Sequence, residues 1–174
     1  MIKYFYYLFL SLILVFLQQS VLPALGFLAN LNILLVFLVF ITIIFDFNLG
    51  FIFAIFIGFL VNVFSFLPLG TFIIIYLVIL GVINFLYKHV FINFSFLTNL
   101  ILIVLATFIF NLLLLLVAFL FYLLNLTNIY IVLDGAFLIN FLWQIILNSI
   151  MISLVYILAK LTIKKLNLVF IIKK

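Results

Sequence analysis

The chain has 174 residues, 74% of them apolar and 5% charged, with a net charge of +5 and a mean hydropathy of +1.81. A soluble domain is about a quarter charged. One as apolar as this would present aggregating patches to water, so a water-soluble fold is excluded and a lipid-embedded one implied. At about 20 apolar residues per crossing, the length holds roughly six spanning helices and no second, soluble domain. The sequence also argues against a spanning β-barrel, because barrel strands alternate polar and apolar residues and this chain does not.

There is no cysteine, hence no disulfide framework and no cysteine-based metal site. All seven basic residues are lysine, and Phe, Ile, Asn and Leu dominate, as AT-rich codons would produce. The lysines stand at expected helix ends, so the positive charge reads as membrane topology and not as nucleic-acid binding.

The first expected span covers residues 4–22, after Lys3. Its basic start and apolar run imitate a signal peptide. The run is long, however, and residues 20–26 lack a small-x-small cleavage pattern, so it reads as a retained helix ended by Pro23 and Gly26. The second span covers 31–45 and closes on the turn Asp46-Phe47-Asn48. The third, 49–66, ends at Leu67-Pro68-Leu69-Gly70. The fourth, 71–87, ends at Lys88-His89, followed by a loop with Asn93, Ser95 and Asn99. The fifth, 97–124, is long enough to tilt or protrude. Residues 125–135 form the longest polar stretch, and the sixth span covers 136–161. The tail carries Lys160, Lys164, Lys165, Lys173 and Lys174, and reads equally as a surface-lying segment or a disordered basic end.

Six crossings with the N-terminus inside place all seven lysines on inner segments and none on outer ones. The expectation is therefore a single all-α membrane bundle over residues 1–174 with both termini cytoplasmic.

Two polar patterns stand out. In the third span Gly50, Ala54, Gly58 and Asn62 recur every four residues, which puts them on one helix face. Small residues there let another helix approach closely, and Asn62 can hydrogen-bond across the contact. The face reads as internal helix packing or as a docking surface. In the sixth span Asn140, Gln144 and Asn148 share the same spacing. A carboxamide facing lipid is costly, so this stripe is expected to face protein or water. Ser11, Gln18 and Gln19 in the first span, Gly81 and Asn84 in the fourth, and Thr107 and Asn111 in the fifth are expected to converge with it on one interior. That interior reads either as structural glue or as a substrate site.

No Asp, Glu, Lys or His lies well inside an expected span, which argues against a proton-coupled pump. The two carboxylates, Asp46 and Asp134, fall on opposite sides of the membrane, so they cannot form a catalytic dyad. Asp134-Gly135-Ala136 echoes the start of a lipid-headgroup transferase motif, but the further aspartates and arginine of that motif do not follow. Asp134 reads instead as shaping the turn or the start of the sixth helix, and Asp46 likewise for the third. His89 has no carboxylate or cysteine partner for a metal and reads as a solvated loop residue; Trp143 reads as an interfacial anchor or, from its place inside the sixth helix, as packing. No enzyme activity and no cofactor are expected.

One family fits the order of these features. Gln18 near the end of the first span is followed by a small loop and the run Leu31-Asn32-Ile33-Leu34-Leu35. A glycine-bearing helix follows, with Gly50 and Gly58-Phe59-Leu60-Val61-Asn62, then Pro68-Leu69-Gly70. In this the chain resembles the MreD family of bacterial rod-shape proteins, over most of its length. Asn62 stands where that family usually has Asp, so a charge-dependent role there does not carry over, whereas a hydrogen-bonding role does. The resemblance implies a non-enzymatic scaffold of cell-wall elongation in the bacterial cytoplasmic membrane. Its implied partners are an MreC-like protein and other membrane proteins of the elongation complex. The family is similar in architecture to the substrate-binding S components of energy-coupling-factor transporters, which makes a transporter subunit the rival reading. Such components usually carry an alanine-rich docking helix, and residues 4–22 hold no alanine.

Overall fold

The fold is a computed structural model that describes residues 2–44, 47–65, 67–91, 95–125 and 134–166, with side chains from residue 8 to residue 161. Asp46, Asn93, most of the polar stretch after residue 125 and the tail beyond Leu166 lie outside the described residues, whereas Phe47 and Asn48, expected in a turn, already belong to the first turn of the third α-helix. Six α-helices follow in order: α1 (Ile2–Phe16), α2 (Ile33–Ile44), α3 (Phe47–Phe64), α4 (Thr71–His89), α5 (Phe96–Leu123) and α6 (Gly135–Leu166). The many Ile, Val and Phe residues have modest helix propensity, but in lipid a helix satisfies its own backbone, and that requirement overrides propensity.

Among the described residues, five segments are long and apolar enough to cross a membrane: Leu8–Asn30, Phe47–Phe64, Thr71–His89, Phe96–Leu123 and Gly135–Leu161. The expected second span is shorter. α2 has 12 residues, about 18 Å of helix against a hydrocarbon core of about 30 Å. Its placement explains its composition. α2 touches α1, α3, α4, α5 and α6, and Leu34, Leu35, Val36, Leu38, Val39, Ile41 and Ile43 are all buried. A helix that is apolar on every side belongs at the centre of a bundle, and α2 is its central post.

The first crossing is also not the uniform helix expected over 4–22. Regular α-structure stops at Phe16, a π-helical turn follows over Leu17–Val21, and tighter 3₁₀ turns run over Leu22–Asn30. Pro23 explains the break. In a regular α-helix its ring would strike the carbonyl of Gln19, four residues back, and the widened turn relieves that clash. Gly26 then bends the chain with φ of 62°, a left-handed backbone that favours glycine. The chain extends at Leu31 before α2 begins.

Around this centre both the interior and the outer surface are apolar. Ile57, Ile75, Ile83, Leu102, Ile103 and Ile152 are fully buried, yet Phe59, Ile74, Phe85, Phe108, Phe119 and Leu142 are exposed on the outer surface. Lipid tails are the natural neighbours of that surface.

The α3–α4 connection depends on one glycine. Gly70 has φ of 97° and stands just before α4. Replacing it with alanine is expected to cost about 1–2 kcal/mol through backbone strain alone. Gly81, in the middle of α4, is the matched opposite: an added Cβ would meet nothing within 4 Å. Gly81→Ala is expected to stabilise the helix by about 0.5–1 kcal/mol. Unfolding midpoints of the two variants in mixed micelles check the pair, and midpoints moving in the same direction would contradict this account.

Candidate functional site

The break in the first crossing leaves non-helical backbone inside an apolar bundle, and such backbone needs partners. The carboxamides supply them. Gln18 lies in the widened turn and reaches across to the chain entering α2. Its Nε2 donates to the Leu31 carbonyl at 3.0 Å, and its Oε1 accepts from the Ile33 N–H at 2.8 Å. One side chain thus serves a carbonyl and an amide that no helix satisfies. The next amide, Asn32 N–H, donates to Asn148 Oδ1 at 2.9 Å. Asn148 is fully buried, and its Nδ2 donates to Thr107 Oγ1 at 2.9 Å. Thr107 in turn donates to the carbonyl of Ile103. The Asn32 side chain accepts from Leu35 N–H at 3.1 Å, which caps α2. The widened turn, the start of α2, α5 and α6 are tied together where the chain passes from the first crossing into α2.

Beside this network lies a cleft of about 200 Å³, lined on one side by Asn30 and Gln18 and on the other by Asn111, Asn140 and Gln144, with Phe110, Phe137 and Phe141 among its walls. Asn111 Nδ2 donates to Gln144 Oε1 at 2.6 Å and to the carbonyl of Thr107 at 2.9 Å. Asn30 Nδ2 approaches Asn140 Oδ1 at 3.4 Å, a long and weak contact. The α6 stripe therefore grades from exposed Asn140 through half-buried Gln144 to buried Asn148. Gln18, Thr107, Asn111, Gln144 and Asn148 come together; Gly81 and Asn84 of α4 take no part, and Ser11 bonds only to the carbonyl of Leu8 in its own helix. Asn30 and Asn32 belong to the assembly although no periodicity marked them. The signal for Asn32 was its place directly before a wholly apolar run, where a cap is expected.

The third-span face lies elsewhere, against α4. Gly50, Ala54, Gly58 and Asn62 are all buried. A Cβ on Gly58 would sit 2.7 Å from the Cα of Ile73 and 2.8 Å from its nitrogen, so the two backbones are in contact there. A Cβ on Gly50 would meet the tips of Leu80 and Thr42 at 2.9 Å. The face is thus an internal packing surface covered by α4, and it is not open to a docking partner. Asn62 completes the hairpin. Its Oδ1 accepts from Phe72 N–H, in the first turn of α4, at 3.2 Å. Gly70 occupies the capping position and has no side chain to do this. Pro68 contributes its carbonyl, which accepts from both the amide and the hydroxyl of Thr71.

Asp134 Oδ1 accepts from Phe137 N–H at 2.8 Å and caps α6. His89 ends α4, exposed, with its Nδ1 3.0 Å from the Phe85 carbonyl and its ring stacked on Phe85. Scans against family models, curated proteins and solved structures found no match for this chain.

Proposed function

We propose that the chain is a multi-pass scaffold of the bacterial cell-wall elongation machinery, of the MreD kind and without enzymatic activity. It would sit in the cytoplasmic membrane with both termini inside, α2 completing a sixth passage, and the distribution of its seven lysines supports that orientation. Its partners would be an MreC-like protein and other membrane proteins of the elongation complex.

The observation that carries the reading is the α3–α4 hairpin. The residues that mark the resemblance each have a distinct duty in it: Gly58 allows backbone contact, Asn62 caps α4, and Gly70 makes the turn. Asn62 does this with a neutral acceptor, so the absence of the family's usual Asp leaves the duty intact. Because α4 covers that face, a partner would meet the outward apolar surface of the bundle instead.

The rival reading, a substrate-binding subunit of an energy-coupling-factor transporter, draws on the carboxamide-lined cleft. Gentle solubilisation of the tagged chain from its own membrane, with mass spectrometry of what co-purifies, separates the two. An MreC-like protein and wall-synthesis enzymes are expected. A coupling subunit with paired ATPases would overturn the scaffold reading.

A further inference from the structure

The cleft contains more hydrogen-bonding capacity than the protein uses. Gln144 Nε2, Asn140 Nδ2, Asn111 Oδ1 and Asn30 Oδ1 have no partner among the described residues, while the other amide atom of each side chain is engaged. Only two side-chain atoms in the described structure are both fully buried and unpartnered, Asn62 Nδ2 and Asn99 Oδ1. The four atoms of the cleft are not among them, and their residues line its open volume. An amide left bare in hydrocarbon costs several kcal/mol, so what occupies this volume must itself be polar. The volume, about 200 Å³, is more than ten times the roughly 10–15 Å³ that one water needs.

The depth of the cleft is set by α6. Asn140 stands 20 residues before Lys160, about 30 Å along the helix and one hydrocarbon thickness. If Lys160 marks one interface, Asn140 lies at the other, with Gln144 about 6 Å further in. The polar mouth therefore opens where headgroups and water meet the hydrocarbon.

The lining also limits the class of ligand. None of its residues is charged, and Phe137 and Phe141 add flat apolar walls between the amides. An ionic group entering there would lose hydration without a counter-charge. A ligand with several hydroxyls and apolar ring faces matches both surfaces, since carboxamides offer donors and acceptors side by side.

We infer that the cleft between residues 17–30, α5 and α6 binds an uncharged, hydroxyl-rich group, a sugar or polyol, held by Asn30, Asn111, Asn140 and Gln144. This does not depend on the scaffold reading. The group can arrive free in solution or as the headgroup of a glycolipid, and the test distinguishes these sources. The whole chain is placed in phosphatidylcholine nanodiscs and its thermal unfolding followed with added maltose, or with diglucosyl diacylglycerol included in the disc. Glucose 6-phosphate is the charged control. Concentration-dependent stabilisation is expected from one or both neutral probes. Maltose alone acting indicates a soluble ligand, and the glycolipid alone a headgroup. Asn140→Leu is expected to weaken the response at least tenfold while melting like the native chain without ligand, because Asn140 is exposed and its one bond is long. Gln144→Leu serves as a second variant. No stabilisation by either neutral probe, an unchanged response in both variants, or stronger binding of glucose 6-phosphate would overturn the inference, the first outcome meaning that the cleft holds water only.

Discussion

Gly58→Leu is expected to prevent the bundle from assembling, and Gly58→Ala to lower its stability by about 1–3 kcal/mol, the usual range for overpacking. Alanine already suffices because the atoms in the way are main-chain atoms of Ile73, at 2.7 and 2.8 Å from the new Cβ. Backbone cannot rotate aside, so α4 has to move as a body, and with it Asn62 loses its place at Phe72 N–H. Gly50 is the internal comparison. There the obstacles are Leu80 Cδ1 and Thr42 Oγ1, ends of side chains that can shift. Gly50→Ala is expected to fall at the low end of the same range. Reversible unfolding against rising SDS fraction in mixed micelles gives the three midpoints. Should Gly58→Ala unfold no earlier than Gly50→Ala, the backbone contact between α3 and α4 would be wrong.

The second large effect belongs to the carboxamides that service the broken backbone. Gln18→Leu keeps the approximate size but strands the Leu31 carbonyl and the Ile33 amide. At about 1–3 kcal/mol for each buried polar group left unpaired, the loss is about 2–6 kcal/mol. Asn148→Leu strands the Asn32 amide at a fully buried position and is expected to cost about 1–3 kcal/mol. Thr107→Val combined with Asn148→Leu is expected to cost less than the sum of the two, because they share the bond between Asn148 and Thr107. Asn140→Leu, on the same stripe but exposed, is expected to stay within about 0.5 kcal/mol of the native chain. The same SDS titration reads all of these. A flat response along Gln18, Asn140 and Asn148 would mean that the non-helical segment does not need its side-chain partners.

Composition alone determined that lipid is the solvent and that the structure is helical, because a backbone without water has few other ways to satisfy itself. Local residues in the sequence marked most helix ends. The expected 71–87 and 97–124 became Thr71–His89 and Phe96–Leu123, since Gly70, Lys88, Ser95 and Asn125 are local signals that act on their own helix. The face Gly50, Ala54, Gly58, Asn62 was equally legible, but not what lies against it: spacing places residues on a side of a helix and is silent about the neighbour. Tertiary structure decided that α4 covers that face and that residues 33–44 form a short central post and not a full-length span. It also decided that Gln18 pairs with backbone 13 and 15 residues away and Asn148 with backbone 116 residues away. Those pairings follow from where α2 begins. The extended entry at Leu31 and the first amides of α2 have no partner within the helix, so they must find one wherever the bundle brings polar side chains within reach, and periodicity along the chain holds no record of that distance.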